Sequence, residues 1–137
     1  MTADFGYFEH DADYGIVGRG PKLEAAFENA AAAMFAIMNT RGETGGDVEV
    51  AVEFDEPDPE FALVEWLNRL LAASREENAL LTEFSLRRDG ARFRGHARGR
   101  RWRPGEDRGT EVKGATLTAL AVKESASGWE ARCVVDV

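Results

Sequence analysis

The chain has 137 residues, 44% hydrophobic and 31% charged, with 17 basic against 25 acidic side chains and a net charge of −8. That size and balance suit one globular domain over residues 1–137, and no apolar run is long enough to cross a bilayer. The acid excess repels nucleic acid at long range, and a single cysteine, Cys133, excludes an internal disulfide and a cysteine-rich zinc module.

The opening MTADFGYFEH has neither a basic start nor a long apolar segment, so no secretory signal is expected. With one cysteine, the chain reads as cytoplasmic. YFEH and GIVGRG read as short extended pieces broken around Asp13. The intervening FEHDADYG packs Glu9, His10, Asp11 and Asp13 into five positions. That is either a solvated edge or half of a metal or acid/base site whose other half lies elsewhere.

Gly20-Pro21 ends this stretch, and proline suits the first turn of a following helix. Leu23, Phe27, Ala30, Met34 and Ile37 recur at helical spacing, with Phe35 and Met38 widening the stripe, which reads as core. VEVAVEF, 48–54, alternates with period two and predicts a half-buried strand. EFDEPDPE then places five acids in eight residues. Asp58-Pro59-Glu60 supplies a capping side chain, a proline at the first helical position and an acid at the positive dipole end. The acids therefore have a structural reason, and their spacing is not that of a calcium-binding EF-hand loop. The helix FALVEWLNRLLAASREEN carries Phe61, Val64, Leu67, Leu70 and Leu71 on one stripe, with Trp66 and Asn68 off its centre.

LTEFSLRRDGARFRGHARGR predicts a hairpin turning at Asp89-Gly90. That register sets Leu86 opposite Phe93, Phe84 opposite Gly95 and Thr82 opposite Ala97, an apolar face. The other face sets Arg87 opposite Arg92, Ser85 opposite Arg94 and Glu83 opposite His96, and also carries Arg98 and Arg100. From about Thr110 the chain alternates loosely, turns at SASG and ends in WEARCVVDV, which predicts two strands. A helix over 111–122 is the alternative, since alanine and leucine are frequent there. The order β-β-α-β-α followed by strands predicts an α+β fold: a mostly antiparallel or mixed sheet with two helices packed on one face.

Charge is unevenly spread. Residues 1–86 hold 18 acids and 5 bases, whereas residues 87–137 hold 7 acids and 12 bases. The row Arg92, Arg94, His96, Arg98 and Arg100 could meet phosphates or an acidic partner, with Arg94 and Arg98 at its centre. Alternatively it is a solvent face neutralised by acids on neighbouring strands. Lys113 is one of only three lysines, and lysine supplies a point charge that arginine does not. Asp136 sits at an apolar strand end and needs exposure, a partner or a cation. Two carboxylates, Asp13 and Asp136, with main-chain oxygens suit a hard cation such as calcium or magnesium. Two histidines and one cysteine offer no zinc ligand set and little material for a nucleophilic triad. Phosphate-loop, nucleophile-elbow, dinucleotide and CxxC motifs are absent.

Several stretches together resemble the archease family across nearly the whole chain: FEHDADYGIVGRG, LEAAFENAAAAMFAIM, VEWLNRLL, TEVKGAT and GWEARCVVDV. The most telling pieces are His10-x-Ala12-Asp13, Glu65-Trp66-Leu67-Asn68, Glu111-x-Lys113 and the closing Val135-Asp136-Val137. The resemblance implies a cytosolic protein cofactor, not an enzyme. Such a cofactor activates the GTP-dependent tRNA-splicing RNA ligase that joins halves bearing a 3′-phosphate or 2′,3′-cyclic phosphate. It does so by promoting guanylylation of the ligase and multiple turnover. A metal site is implied, with Ca2+ or another hard cation such as Mg2+ or Mn2+. By resemblance, Asp13 and Asp136 are its carboxylates and Val137 gives a main-chain oxygen. Lys113 is implicated in activation, with His10 and Glu111 beside it. Leu117 and Thr118 stand where the family commonly has an aromatic residue and a histidine. Tyr14 replaces a usual aliphatic residue, and Asp11 adds a charge. Three rivals make different predictions: an RNA- or protein-binding module using the arginine face, a metal-dependent hydrolase using His10, Asp13 and Asp136, and a calcium-stabilised chaperone-like protein.

Overall fold

The two apolar helical stripes and the alternating segments all become regular elements in a computed structural model of the chain, which describes residues 4–137. Residues 1–3, the start of the stretch expected to carry no secretory signal, lie outside that description. Strands β1 (Phe5–His10) and β2 (Asp13–Gly20) form a hairpin and lead into helix α1 (Leu23–Ala36). Strand β3 (Val48–Asp55) precedes helix α2 (Pro59–Glu77). Then come β4 (Ala79–Asp89), β5 (Arg92–Arg101), β6 (Gly114–Ala115), β7 (Ala121–Ser125) and β8 (Gly128–Asp136).

Every strand pair is antiparallel. The fold is α+β as expected, but the strands divide into two sheets. One runs β1-β2-β8-β6, with β7 also paired to β8, and the other runs β3-β5-β4. Helix α1 packs on both, against β2, β8 and β1 of the first and β4 of the second. Its small residues permit this. Gly18 lies so close to α1 that an added Cβ would sit 2.2 Å from the Ala26 carbonyl oxygen and the Ala30 nitrogen.

Local signals set the helix ends as physics asks, with one exception. Asp58 caps α2 by accepting the Glu60 N–H at 2.8 Å, with Pro59 at the first position. Asn78 closes it in the left-handed conformation, φ 51°. Pro21 instead lies before α1, whose N-cap is Lys22 in extended backbone. Buried α1 residues include Leu23, Phe27, Ala30, Met34 and Phe35, while Ile37 lies past the helix end.

The α2 stripe is rotated from its expected centre. Leu63, Trp66, Leu67, Leu70 and Leu71 are buried, whereas Phe61 is 50% exposed. Trp66 is fully buried, and its indole N–H donates to the Phe27 carbonyl at 3.0 Å, tying α2 to α1. In the β4–β5 hairpin the two-residue loop is Gly90-Ala91, with Asp89 opposite Arg92 and Gly90 at φ 61°. Pairing partners move two places, and since strand faces alternate with period two each residue keeps its expected face. Phe84 thus pairs with Ala97 and Leu86 with Gly95. The stretch 111–122 holds no helix. Thr116 and Thr118 bond to the β8 backbone around Val134, and the chain turns at Ala119, φ 53°, before β7.

Candidate functional site

Four strand ends meet at one end of the five-stranded sheet. The β1–β2 turn occupies Asp11 and Ala12, with Asp11 at φ 52°, and places His10 opposite Asp13. Across the next pair, Tyr14 stands opposite Val135. One step further, Asp13 opens β2 just where Asp136 closes β8, so the two residues lie at the same end of the sheet. The Val137 N–H donates to Asp13 Oδ1 at 3.2 Å and fixes that side chain. On the other side of β8, Gly114 pairs with Asp136, and the Lys113 N–H donates to the Asp136 carbonyl at 2.8 Å. Asp136 and Lys113 are exposed, and Asp13 and Val137 are half-buried.

Beside them opens a depression of ≈ 660 Å³ lined by Tyr7, Phe8, Glu9, Asp11, Ala12, Asp13, Tyr14, Thr110 and Val137. Its walls have local causes. The Phe8 ring lies flat on Gly15, where a Cβ would overlap the ring at 2.3 Å, and the Arg132 guanidinium covers it at 4.8 Å. The Tyr7 hydroxyl donates to the Ala33 carbonyl at 2.7 Å, and burial, aided by Tyr14, raises its pKa above the ordinary phenol value. His10 Nδ1 is buried with no hydrogen-bond partner and lies 4.0 Å from an Asp11 carboxylate oxygen.

The donors gathered here are oxygens: two carboxylates and main-chain carbonyls. An all-oxygen set suits a hard divalent cation in kind. Among the described residues no group of three or more His, Cys, Asp or Glu side chains could hold a metal ion. A cation here would therefore rest on Asp13, Asp136 and the main-chain oxygen of Val137, with water or a partner completing its shell.

The structure does not bring every expected residue to this end. Glu111 lies two residues before Lys113 but lines a separate cavity of ≈ 460 Å³ with Arg75, Trp102 and Arg108. Arg94 and Arg98 lie on the other sheet, and acids on the flanking strands answer them. Arg92 bonds to Glu53 at 2.7 Å and Asp55 at 2.9 Å, and Arg94 approaches Glu53 at 3.6 Å. Arg98 lies between Glu83 at 3.5 Å and Glu49 at 3.8 Å. Arg87, expected opposite Arg92, instead faces Arg94, and His96 faces Ser85. Arg100, in the same row, is shielded from solvent. Only 15% exposed, it forms a forked pair with Glu106 at 2.8 and 3.0 Å. Cys133 is buried, which pushes its thiol up to about 12, so it is neither a nucleophile nor a ligand at neutral pH.

Sequence reasoning missed two polar residues of α2. Asn68 and Arg75 reach across to the backbone of 112–115. The available signal was an asparagine in a helix interior, a position that residue does not favour.

The family model described as the Archease protein family matches residues 5–137. A protein archease from Methanosarcina mazei is 32% identical, the match covering 96% of this chain and 94% of the relative. One from Sulfolobus acidocaldarius is also 32% identical, with 97% and 98% covered. Among solved structures, the solution structure of protein 1598 of Methanobacterium thermoautotrophicum superposes with a TM-score of 0.89 at 31% identity, covering 99% of this chain and all of that one. The crystal structure of a Thermotoga maritima archease, described as a possible chaperone, gives a TM-score of 0.64 at 17% identity, with 95% and 94% covered, a likeness of fold.

Proposed function

The chain belongs to the archease family, and on that premise we propose that it activates a GTP-dependent RNA ligase that seals tRNA halves ending in a 3′-phosphate or 2′,3′-cyclic phosphate. It promotes guanylylation of the ligase and its repeated turnover. It is an accessory protein acting on a partner, not an enzyme with a reaction of its own. The observation that supports this best is the meeting of Asp13, Asp136, Val137 and Lys113 at one exposed sheet end, although Asp13 and Val137 lie 124 residues apart.

Attack on a nucleoside triphosphate builds negative charge on phosphate oxygens, and fixed positive charge aimed there lowers the barrier. A divalent cation, when bound, supplies part of that charge. Asp13 and Asp136 would hold it through carboxylate oxygens, and Val137 would add a main-chain oxygen. The Val137 N–H keeps Asp13 oriented. Lys113 presents an exposed ammonium on the neighbouring segment. Recruiting RNA through Arg94 and Arg98 is the weaker reading, because Glu53, Glu49 and Glu83 already answer those guanidiniums.

The test is guanylylation of a cognate ligase, kept limiting, with and without this protein. A large rate increase is expected. Asp13→Ala and Lys113→Ala should each lower it by about 10²-fold, the scale of removing one group that stabilises developing charge. Full activation by Asp13→Ala would remove the cation from this account, and no activation by the intact chain would remove the ligase.

A further inference from the structure

We infer that Asn68 and Arg75 are positioning residues that hold the Lys113 segment in place. The inference concerns how the site proposed above is set, and rests on that reading for its functional consequence.

Strand β6 is only two residues long, and a strand that short has little hold of its own. One side is paired to β8, through Gly114 with Asp136 and Ala115 with Val135. Two flanking N–H groups extend that pairing: Lys113 donates to the Asp136 carbonyl at 2.8 Å and Thr116 to the Val134 carbonyl at 3.0 Å. Among the described residues the opposite side faces no strand. Its backbone groups need partners all the same, and α2 supplies them from side chains.

Asn68 acts as a strand neighbour would. Its Nδ2 donates to the Ala115 carbonyl at 3.2 Å while its Oδ1 accepts the Ala115 N–H at 2.8 Å. Seven residues on, and so on the same helix face, Arg75 donates from one nitrogen, Nη2, to the Val112 carbonyl at 3.0 Å and the Lys113 carbonyl at 2.7 Å. Between them Val112 is 1% exposed and Leu71 2%, an apolar anchor. The segment is thus gripped on three sides: by β8, by two α2 side chains and by the buried Val112. Only the Lys113 side chain is left free to face outward.

This arrangement gives Asn68 and Arg75 a purpose that helix formation does not. Asparagine is a poor residue for a helix interior. An arginine near a helix C-terminus commonly serves its own carbonyls or the dipole. Here both reach a segment 37 to 47 residues away in sequence. Without them, Lys113 would keep its bond to Asp136 on one edge only, and the backbone that carries its side chain would be less firmly placed beside Asp136.

Two readouts test this on the full-length protein. The first is amide hydrogen exchange, compared among intact protein, Asn68→Ala, Arg75→Ala and the conservative Arg75→Lys. Exchange at Lys113 and Ala115 should quicken by about 10-fold or more in the alanine variants, the scale of one lost hydrogen bond. Amides of Ile16 and Leu67 should keep their protection. Arg75→Lys, which keeps one charged donor, should recover part of it. The second is ligase guanylylation against variant concentration: the maximal rate should fall about 10-fold while the half-saturating concentration stays put, because docking is intact and charge placement is not. Unchanged exchange at Lys113 and Ala115 would overturn the inference. So would loosened exchange with full maximal activation. If the intact protein activates no ligase, the proposed function fails, and the exchange data still decide whether these two side chains hold the segment.

Discussion

Trp66 shows how one side chain can set a contact between elements that are far apart in sequence. It is fully buried, bonds α2 to α1 through the Phe27 carbonyl, and reaches β5 at Gly95. A Cβ at Gly95 would lie 2.2 Å from the indole ring. Gly95→Ala should therefore cost ~1–3 kcal/mol through overpacking. Trp66→Phe should cost a similar amount, from a smaller ring and a lost hydrogen bond. Together they should cost clearly less than their sum, because the phenyl ring leaves room for the added methyl. Urea unfolding of the two single variants and the double variant measures this, and strict additivity would refute the contact. Neither residue's role was legible in the sequence. The stripe read from Phe61, Val64 and Leu67 has the right period but a phase set by Phe61, which ends up half exposed at the first turn. Periodicity fixes that a helix has an apolar face, and the neighbours decide where its centre falls.

At the scale of elements, local chemistry was legible where it was self-contained. The Asp58-Pro59 cap, the period-two run of β3 and the two faces of the β4–β5 hairpin all follow from residues a few places apart. Elements held by distant partners were not. The stretch after Lys113 breaks into β6, a turn and β7 because β8 offers it hydrogen bonds there. The segment 102–109, which has no regular structure, is held more locally, by the Arg100–Glu106 fork to the end of β5 and by the Glu106 carboxylate accepting the Arg103 N–H within the segment. The Arg100 guanidinium, with that backbone N–H, holds the Glu106 carboxyl down at about 2. An unfolded glutamate titrates near ~4.3, so between these values the unfolded chain binds more protons than the native one. Stability from this group is present above about pH 4.3 and is lost as pH falls toward 2. Glu106→Gln should therefore be less stable than the intact protein at pH 7, with the gap narrowing steadily down to about pH 2. Unfolding midpoints across that range measure it, and a pH-independent gap would mean the pair contributes no linkage.

For the molecule as a whole, most of the architecture is non-local. The division into two sheets, with α1 lying across both, brings the start of β2 to the end of β8, and no periodicity announces that meeting. In the sequence Asp13 and Asp136 group as carboxylates suited to a hard cation, and the separate motifs His10-x-Ala12-Asp13 and Val135-Asp136-Val137, resembling one family in order, strengthen that grouping. The α+β class and the absence, among the described residues, of a helix long and apolar enough to cross a membrane agree with the composition. The charge balance adds a consequence for stability. The chain carries a net charge of −8, and Asp13 and Asp136 place two of its acids at one sheet end. Removing one acid from an acid-rich chain lowers its self-repulsion, so Asp13→Asn should be as stable as the intact protein or slightly more so in the presence of chelator. With calcium the order should reverse. A ligand that binds only the folded state stabilises by about 2.7 kcal/mol at 100 times its dissociation constant. On that scale the intact protein should gain several degrees in Tm and Asp13→Asn almost none. The asparagine keeps the oxygen that accepts the Val137 N–H, so this comparison isolates charge from backbone geometry. Thermal unfolding in chelator, calcium and magnesium measures it directly. Equal gains in both proteins would place any bound cation elsewhere, and no gain in either would count against a calcium or magnesium site at this sheet end.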